Sequence, residues 1–175
     1  MNASALTGWL LCTLVLYGGG INAAEENPLK NAKVGDWAEY KMTLSNENVQ
    51  GKVKQTVTAK DAASVTLRME TELPRQKVQV TVGVLDLTRP YAPQQPLPGE
   101  KKIAEGDETL GLGGKEYNCH WIQVEMTVES GGKKFAIGMK RWTFKDSTWP
   151  SVKTETTNQG VKTTLEFSAS GKAGK

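Results

Sequence analysis

Polar and apolar residues trade places one by one along most of this chain. In VGDWAEYKMTL (34–44) the alternation starts at residue 38, with Ala38, Tyr40, Met42 and Leu44 facing one way and Glu39, Lys41 and Thr43 the other. A period of two marks a half-buried strand, because successive side chains on a strand point to opposite faces. SNEN (45–48) has turn chemistry, and VQGKVKQTVTAK (49–60) resumes with Val49, Val53 and Val57 on one face. SVTLRMETEL (64–73) shares Val65, Leu67, Met69 and Leu73, and KVQVTVGVLDL (77–87) aligns Val78, Val80, Val82 and Val84. Four strands in series with short turns between them predict an antiparallel meander.

TRPYAPQQPLPGEKK (88–102) interrupts the pattern with four of the seven prolines. Proline fixes φ and cannot donate to a ladder, so this stretch is expected to be an extended crossover. It connects across one end of the sheet, or it serves as a lid or docking segment. GDETLGLGG (106–114) then reads as a short strand and turn, followed by the long strand KEYNCHWIQVEMTVE (115–129). Tyr117, Cys119 and Trp121 have one parity there; Ile122, Val124, Met126 and Val128 have the other. Such a phase change suggests a β-bulge near Trp121–Ile122. KFAIGMKRWTF (134–144) runs back, and residues 152–169 read as a final hairpin around Asn158–Gly160.

No amphipathic helix is visible after residue 24. The expectation is one all-β domain over 34–169, an antiparallel meander of about nine strands forming an open half-barrel or a β-sandwich. A polar lead-in (25–33) precedes it and a short disordered tail (170–175) follows.

The first two dozen residues read as a signal peptide. LTGWLLCTLVLYGG (6–19) is uncharged and mostly apolar, short for a membrane span, and small residues near Ala23–Ala24 suit cleavage. The n-region MNASAL has no Lys or Arg, which leaves an uncleaved anchor as the alternative; Leu11 before Cys12 argues against a lipobox. The chain is thus expected to be exported, to the periplasm or the exterior, with no stable membrane span after cleavage. Export leaves Cys119 alone, so no internal disulfide can form and stability rests on an apolar core.

The charge, +3 from 22 Lys and Arg against 19 Asp and Glu, is a weak bias with no dense basic cluster, so nothing suggests nucleic-acid binding. Cys119 and His120, the only histidine, are neighbours on a strand and should point to opposite faces. They cannot then form a nucleophile–base pair or readily share a metal. GLGGK (111–115) lacks the Ser or Thr of a phosphate loop, since Glu116 follows the lysine. EGDE (105–108) lacks the periodicity of a calcium loop. Neither catalytic residues, metal ligands nor a cofactor are expected, and the reading is non-enzymatic.

The aromatic and sulfur residues carry the remaining chemistry. Tyr40, Met42, Met69, Trp121, Met126 and Trp142 lie within predicted strands. Methionines adapt to irregular apolar surfaces, so these six either fill a core or line a groove on a concave sheet face. The groove would take an apolar small molecule, an acyl chain or a lipidated protein. The alternative is a structural or interaction protein of the cell envelope that binds a protein partner through a sheet edge or the 88–102 segment.

VGDWAEYKM (34–42), GDETLGLGGKEYNCHWIQVE (106–125) and RWTFKDSTWPSVKTE (141–155) together resemble a pattern of small secreted bacterial β-proteins of planctomycete type, with GDWxxY and GGKxYxC segments. That resemblance implies a fold and no activity. The architecture is more distantly similar to the periplasmic lipoprotein-carrier half-barrels, which implies an acyl-binding concave face; residues 88–102 would stand where those proteins have covering helices.

Overall fold

In a computed structural model, which describes residues 26–45, 49–89, 91, 96–130, 132–144 and 147–172, the chain forms one antiparallel sheet. The expected signal peptide lies outside the described residues. Nine strands run in chain order: β1 (Trp37–Leu44), β2 (Val49–Lys60), β3 (Ser64–Glu72), β4 (Gln79–Asp86), β5 (Glu100–Leu112), β6 (Lys115–Ser130), β7 (Lys133–Thr143), β8 (Ser151–Asn158) and β9 (Val161–Gly171). Their spatial order is β4-β3-β2-β1-β9-β8-β7-β6-β5. The fold is therefore a single open sheet rather than a two-sheet sandwich. Two meanders, β1 to β4 and β5 to β9, meet where β9 pairs antiparallel with β1.

β4 and β5 lie at opposite edges, so the chain between them must travel from one edge to the other. The predicted crossover is thus the longest connection in the topology. Of the described residues between β4 and β5, Leu87 and Tyr91 are buried. β5 begins at Glu100, six residues before the predicted start. EKKIAE (100–105) has no apolar alternation, but an edge strand needs none, because charged side chains are what protect an edge.

The pairings define two sheet faces. On the first, Tyr40 sits opposite Val53 and Phe167, and Gln55 opposite Met69. Arg141 lies between Ile122 and Thr154 on this face. On the second, Trp142 sits between Trp121 and Lys153, and Lys41 between Lys52 and Glu166. The main core covers the first face and joins Ala38, Tyr40, Met42, Val53, Val57, Val65, Met69, Leu85 and Leu165 to Leu29, Leu87 and Trp149 from connecting segments. A smaller cluster on the second face holds Cys119, Trp142 and Val152, with Leu110, Tyr117 and Trp121 against it.

The phase change in β6 has a different cause from the expected bulge. β6 keeps an unbroken register with β7 from His120 to Ser130; the irregularity lies in β5, between Lys102 and Ala104. β6 alternates normally but passes from one cluster to the other, burying Cys119 on the second face and Ile122 and Val124 on the first. Apolar residues of both parities reflect two covered faces, not an extra residue.

The sheet curls. β5 and β9 are four strand spacings apart, about 19 Å on a flat sheet. Yet a methyl group at Gly113, in the β5–β6 turn, would lie 3.7 Å from the Ser168 carbonyl. Tyr117 meets Phe167 with ring centroids 6.2 Å apart, and Phe167 meets Tyr40 at 5.9 Å. Phe167, beside the register shift between β1 and β9, therefore touches both clusters.

The lead-in is docked rather than loose. Pro28–Asn31 form a 3-10 turn capped by Asn27, whose side chain accepts from the Leu29 N–H at 3.0 Å. Leu29 and Ala32 are buried, and Lys60 Nζ donates to the carbonyls of Lys30 and Ala32. β9 likewise runs to Gly171, two residues past the predicted end; a Cβ there would collide with the Trp37 indole.

Candidate interaction surface

The six residues expected to line a groove divide between the two faces. Tyr40, Met42 and Met69 lie together in the main core, exposed by 7 % at most. Met126 is half-buried on the same face, opposite Glu100 and Ile137 at the other end of the sheet. Trp121 and Trp142 stand on the second face, directly opposite one another. The structure thus brings together the first three and, separately, the two tryptophans.

The tryptophans anchor a charged cluster. Lys140 Nζ lies 3.8 Å from the Trp121 ring and 4.4 Å from the Trp142 ring, while Trp142 Nε1 donates to Glu108. Lys153 bridges Glu155 and Glu166, each at 3.2 Å, and Lys162 reaches Glu155 at 2.8 Å. Burial, the largest influence on Glu155, raises its pKa, but the two lysines outweigh it and hold the carboxyl below its ordinary value. These contacts occupy the ring faces with the protein's own cations.

Cys119 and His120 point to opposite faces. Cys119 is packed against Trp142, and burial, helped by the nearby Glu108 charge, pushes its thiol up to about 11. Only a trace of thiolate exists at neutral pH, which makes it a poor nucleophile. His120 pairs across the strands with Asp107, Nδ1 to Oδ1 2.9 Å, and has Glu105 3.8 Å from Nε2. Among the described residues no group of three or more His, Cys, Asp or Glu could hold a metal ion.

A surface that the sequence pattern concealed lies at the β4 edge. Val78, Val80, Val82 and Val84 share a face as predicted, but it is the uncovered one: they are 49, 50, 61 and 60 % exposed. The other parity of the strand supplies the core, through Leu85 and Leu87. Alternation shows which residues share a face and not which face is covered. The signal that could have decided it was the leucine pair at the end of KVQVTVGVLDL, out of phase with the valines.

β4 has β3 as its sole sheet neighbour among the described residues. Its ladder with β3 runs from Ser64–Asp86 to Thr71–Gln79 without a register shift. VQVTVGVL (78–85) contains neither a charge nor a proline. Edge strands are ordinarily protected by charges, prolines or bulges. β5, at the opposite edge, has those protections: Glu100, Lys101, Lys102, Glu105, Asp107 and Glu108, and an irregularity at residue 103. Between the valine stripe and the tryptophans, the second face is a band of charges that includes Glu39–Lys52 and Arg68–Glu70 ion pairs.

No family model and no curated protein matches the chain. Two solved structures are similar to it. One is a protein provisionally described as exported, with a YmcC-like fold, from Bacteroides fragilis NCTC 9343; it has 10 % identity and a TM-score of 0.55, over 81 % of this chain and 97 % of that one. The other is provisionally described as a lipoprotein, from Parabacteroides distasonis ATCC 8503, with 9 % identity and a TM-score of 0.56, over 86 % of this chain and all of that one. At such identities the likeness shows a shared fold. No described helix is long and apolar enough to cross a membrane.

Proposed function

We propose that this chain is an exported, non-enzymatic protein of the cell envelope that binds a protein partner through the free edge of β4. The carrying observation is the regular, uncharged strand at one edge, with four half- to two-thirds-exposed valines on its outer face. An added strand would gain main-chain hydrogen bonds along β4 and bury the valines against its own alternate side chains. Export is supported by the apolar N-terminal stretch and by the likeness of the fold to that of an exported protein and of a lipoprotein. The non-enzymatic reading is supported by the suppressed Cys119 thiol and its separation from His120.

The test is a photo-reactive amino acid at Val80, compared with the same residue at Thr109 on the β5 edge, in cells expressing the full chain. A discrete protein crosslink from Val80 and none from Thr109 is expected. Equal or absent crosslinking from both positions would overturn the reading.

A second reading, an apolar ligand or lipidated partner held against Tyr40, Met42 and Met69, is favoured by one observation. The cover of that face comes from Leu29 in the short 3-10 turn and from Leu87 and Trp149 on connecting segments, with no α-helix across it among the described residues. Segments of that kind open at low cost compared with a packed helix. Native mass spectrometry on the gently purified protein decides it: an adduct of lipid mass lost on denaturation supports carriage, and a clean apo mass after incubation with mixed lipids refutes it.

A further inference from the structure

Building on the β4-edge reading, we infer that the partner is a second copy of this chain, joined by antiparallel β4–β4 pairing about a two-fold axis near Thr81. Three independent features of the strand point to it. First, its outer face matches itself. With Thr81 opposite its own copy, Val80 meets Val82 and Val78 meets Val84, and the symmetry repeats both pairs. All four exposed valines of each chain then find valine partners on one face, and Thr81 finds Thr81 on the other. β-branched cross-strand pairs are among the stabilising ones.

Second, the charges at the two ends are complementary. Arg75 and Lys77 precede the uncharged run and Asp86 ends it. In the antiparallel pairing the Asp86 end of each β4, where Asp86 already holds Arg89, comes beside the start of the other, just after Lys77 and the β3–β4 turn that carries Arg75. A parallel pairing would set like charges side by side. Opposite charges across an interface fix register and direction more than they add affinity.

Third, the association closes. The contact is isologous, using β4 of both copies, and each remaining edge is a β5 with its charges and irregularity. A continuous two-copy sheet results, ending on protected strands. The band of Glu39, Lys52, Lys54, Arg68 and Glu70 on the second face then flanks a central valine ladder on both sides.

The experiment uses the full chain, expressed and processed in a bacterium, and measured by sedimentation velocity across a concentration series. The wild-type protein is expected to be dimeric. Val82→Lys should raise the dimer dissociation constant about a hundredfold or more, because the axis counts each substitution twice. Its circular dichroism should be unchanged, since the residue is 61 % exposed. In a Cys119→Ala background, Thr81→Cys should form a disulfide-linked dimer under mild oxidation, while Thr109→Cys on β5 should not.

A dimer that survives Val82→Lys and does not crosslink through Thr81→Cys would overturn the inference in favour of another interface. A monomer whose binding to anionic lipid vesicles is lost in Val82→Lys would overturn it in favour of a membrane. A monomer that still gives the Val80 photo-crosslink to a different protein would overturn self-pairing and leave the edge reading standing. A monomer with neither crosslink would end both.

Discussion

Removing the Glu100 carboxylate should be the most damaging single polar change in the protein. Arg141 and Glu100 face each other as a fork, Nη1 to Oε1 at 2.8 Å and Nη2 to Oε2 at 2.9 Å, with side chains 4 % and 2 % exposed. Glu100 also accepts from the Leu97 N–H at 2.8 Å, so the same carboxylate fixes the point where the crossover becomes β5. Breaking a buried ion pair from one side costs about 3–5 kcal/mol, because the remaining charge keeps its desolvation penalty. At roughly 2–4 °C per kcal/mol for a chain of this size, Glu100→Ala should lower Tm by about 10 °C. Replacing both ends by apolar residues of similar size removes the penalty with the pair, so Glu100→Met/Arg141→Met should recover most of the loss. Urea unfolding followed by tryptophan fluorescence measures Glu100→Ala and, for the cycle, the wild type, Glu100→Met, Arg141→Met and the double variant. Lys102→Ala, which breaks the exposed Lys102–Glu105 pair, is the control and should change stability by less than about 0.5 kcal/mol. The reasoning fails if Glu100→Ala costs under about 1 kcal/mol, or if the double variant loses the sum of the two single losses.

Two valines of the β3–β4 hairpin give a second test. Val65→Ala, at a fully buried site, should cost about 2–3 kcal/mol, and Val82→Ala, measured on the monomer at high dilution, less than about 0.5, by the same urea assay. Cys119 in the folded protein should react with iodoacetamide at pH 8 about a hundredfold more slowly than in urea, since its thiol lies near 11 against an ordinary 9.0; mass spectrometry of the Cys119 peptide reads the rate. The Glu155 carboxyl is depressed on folding, so its contribution is present above the ordinary value of 4.5 and is lost as pH falls through the folded value. Glu155→Gln should therefore destabilise by up to about 1 kcal/mol at pH 7 and converge with wild type in acid. Convergence in alkali alone, or a constant gap across pH, would contradict that assignment.

The strand inventory was legible because alternation is a local property. Tyr40 and Met42 share a face in any sheet that contains β1, and the structure places them so. What covers a face is a property of the whole topology. The lead-in reads as polar, yet Leu29 and Ala32 are drawn onto the main core, because the Asn27 cap and Lys60 satisfy the backbone groups that would otherwise hold it in water. EKKIAE reads as loop because its charges hide a strand, and those charges suit a strand with one open side. The six candidate ligand residues share a chemistry without sharing a face, and a face can be assigned only once strand order is known.

The two edges follow from the same logic. A nine-stranded sheet that curls without closing must end twice, and each end exposes a row of main-chain donors and acceptors. β5 carries charge along its length and breaks its ladder once. β4 does neither, although Lys77 and Asp86 immediately bracket the uncharged run. Four methyl-bearing side chains held in water on a strand of the best sheet-forming residues make a surface prone to indiscriminate pairing, unless something specific covers it. If the edge were merely tolerated, Val82→Lys should raise solubility and leave association, crosslinking and exchange of the β4 amides untouched. If it is covered in the working protein, those amides should be protected from hydrogen exchange in the wild type and exposed in Val82→Lys, with the amides of β1, three strand spacings in from the β4 edge and paired with β9, unchanged in both.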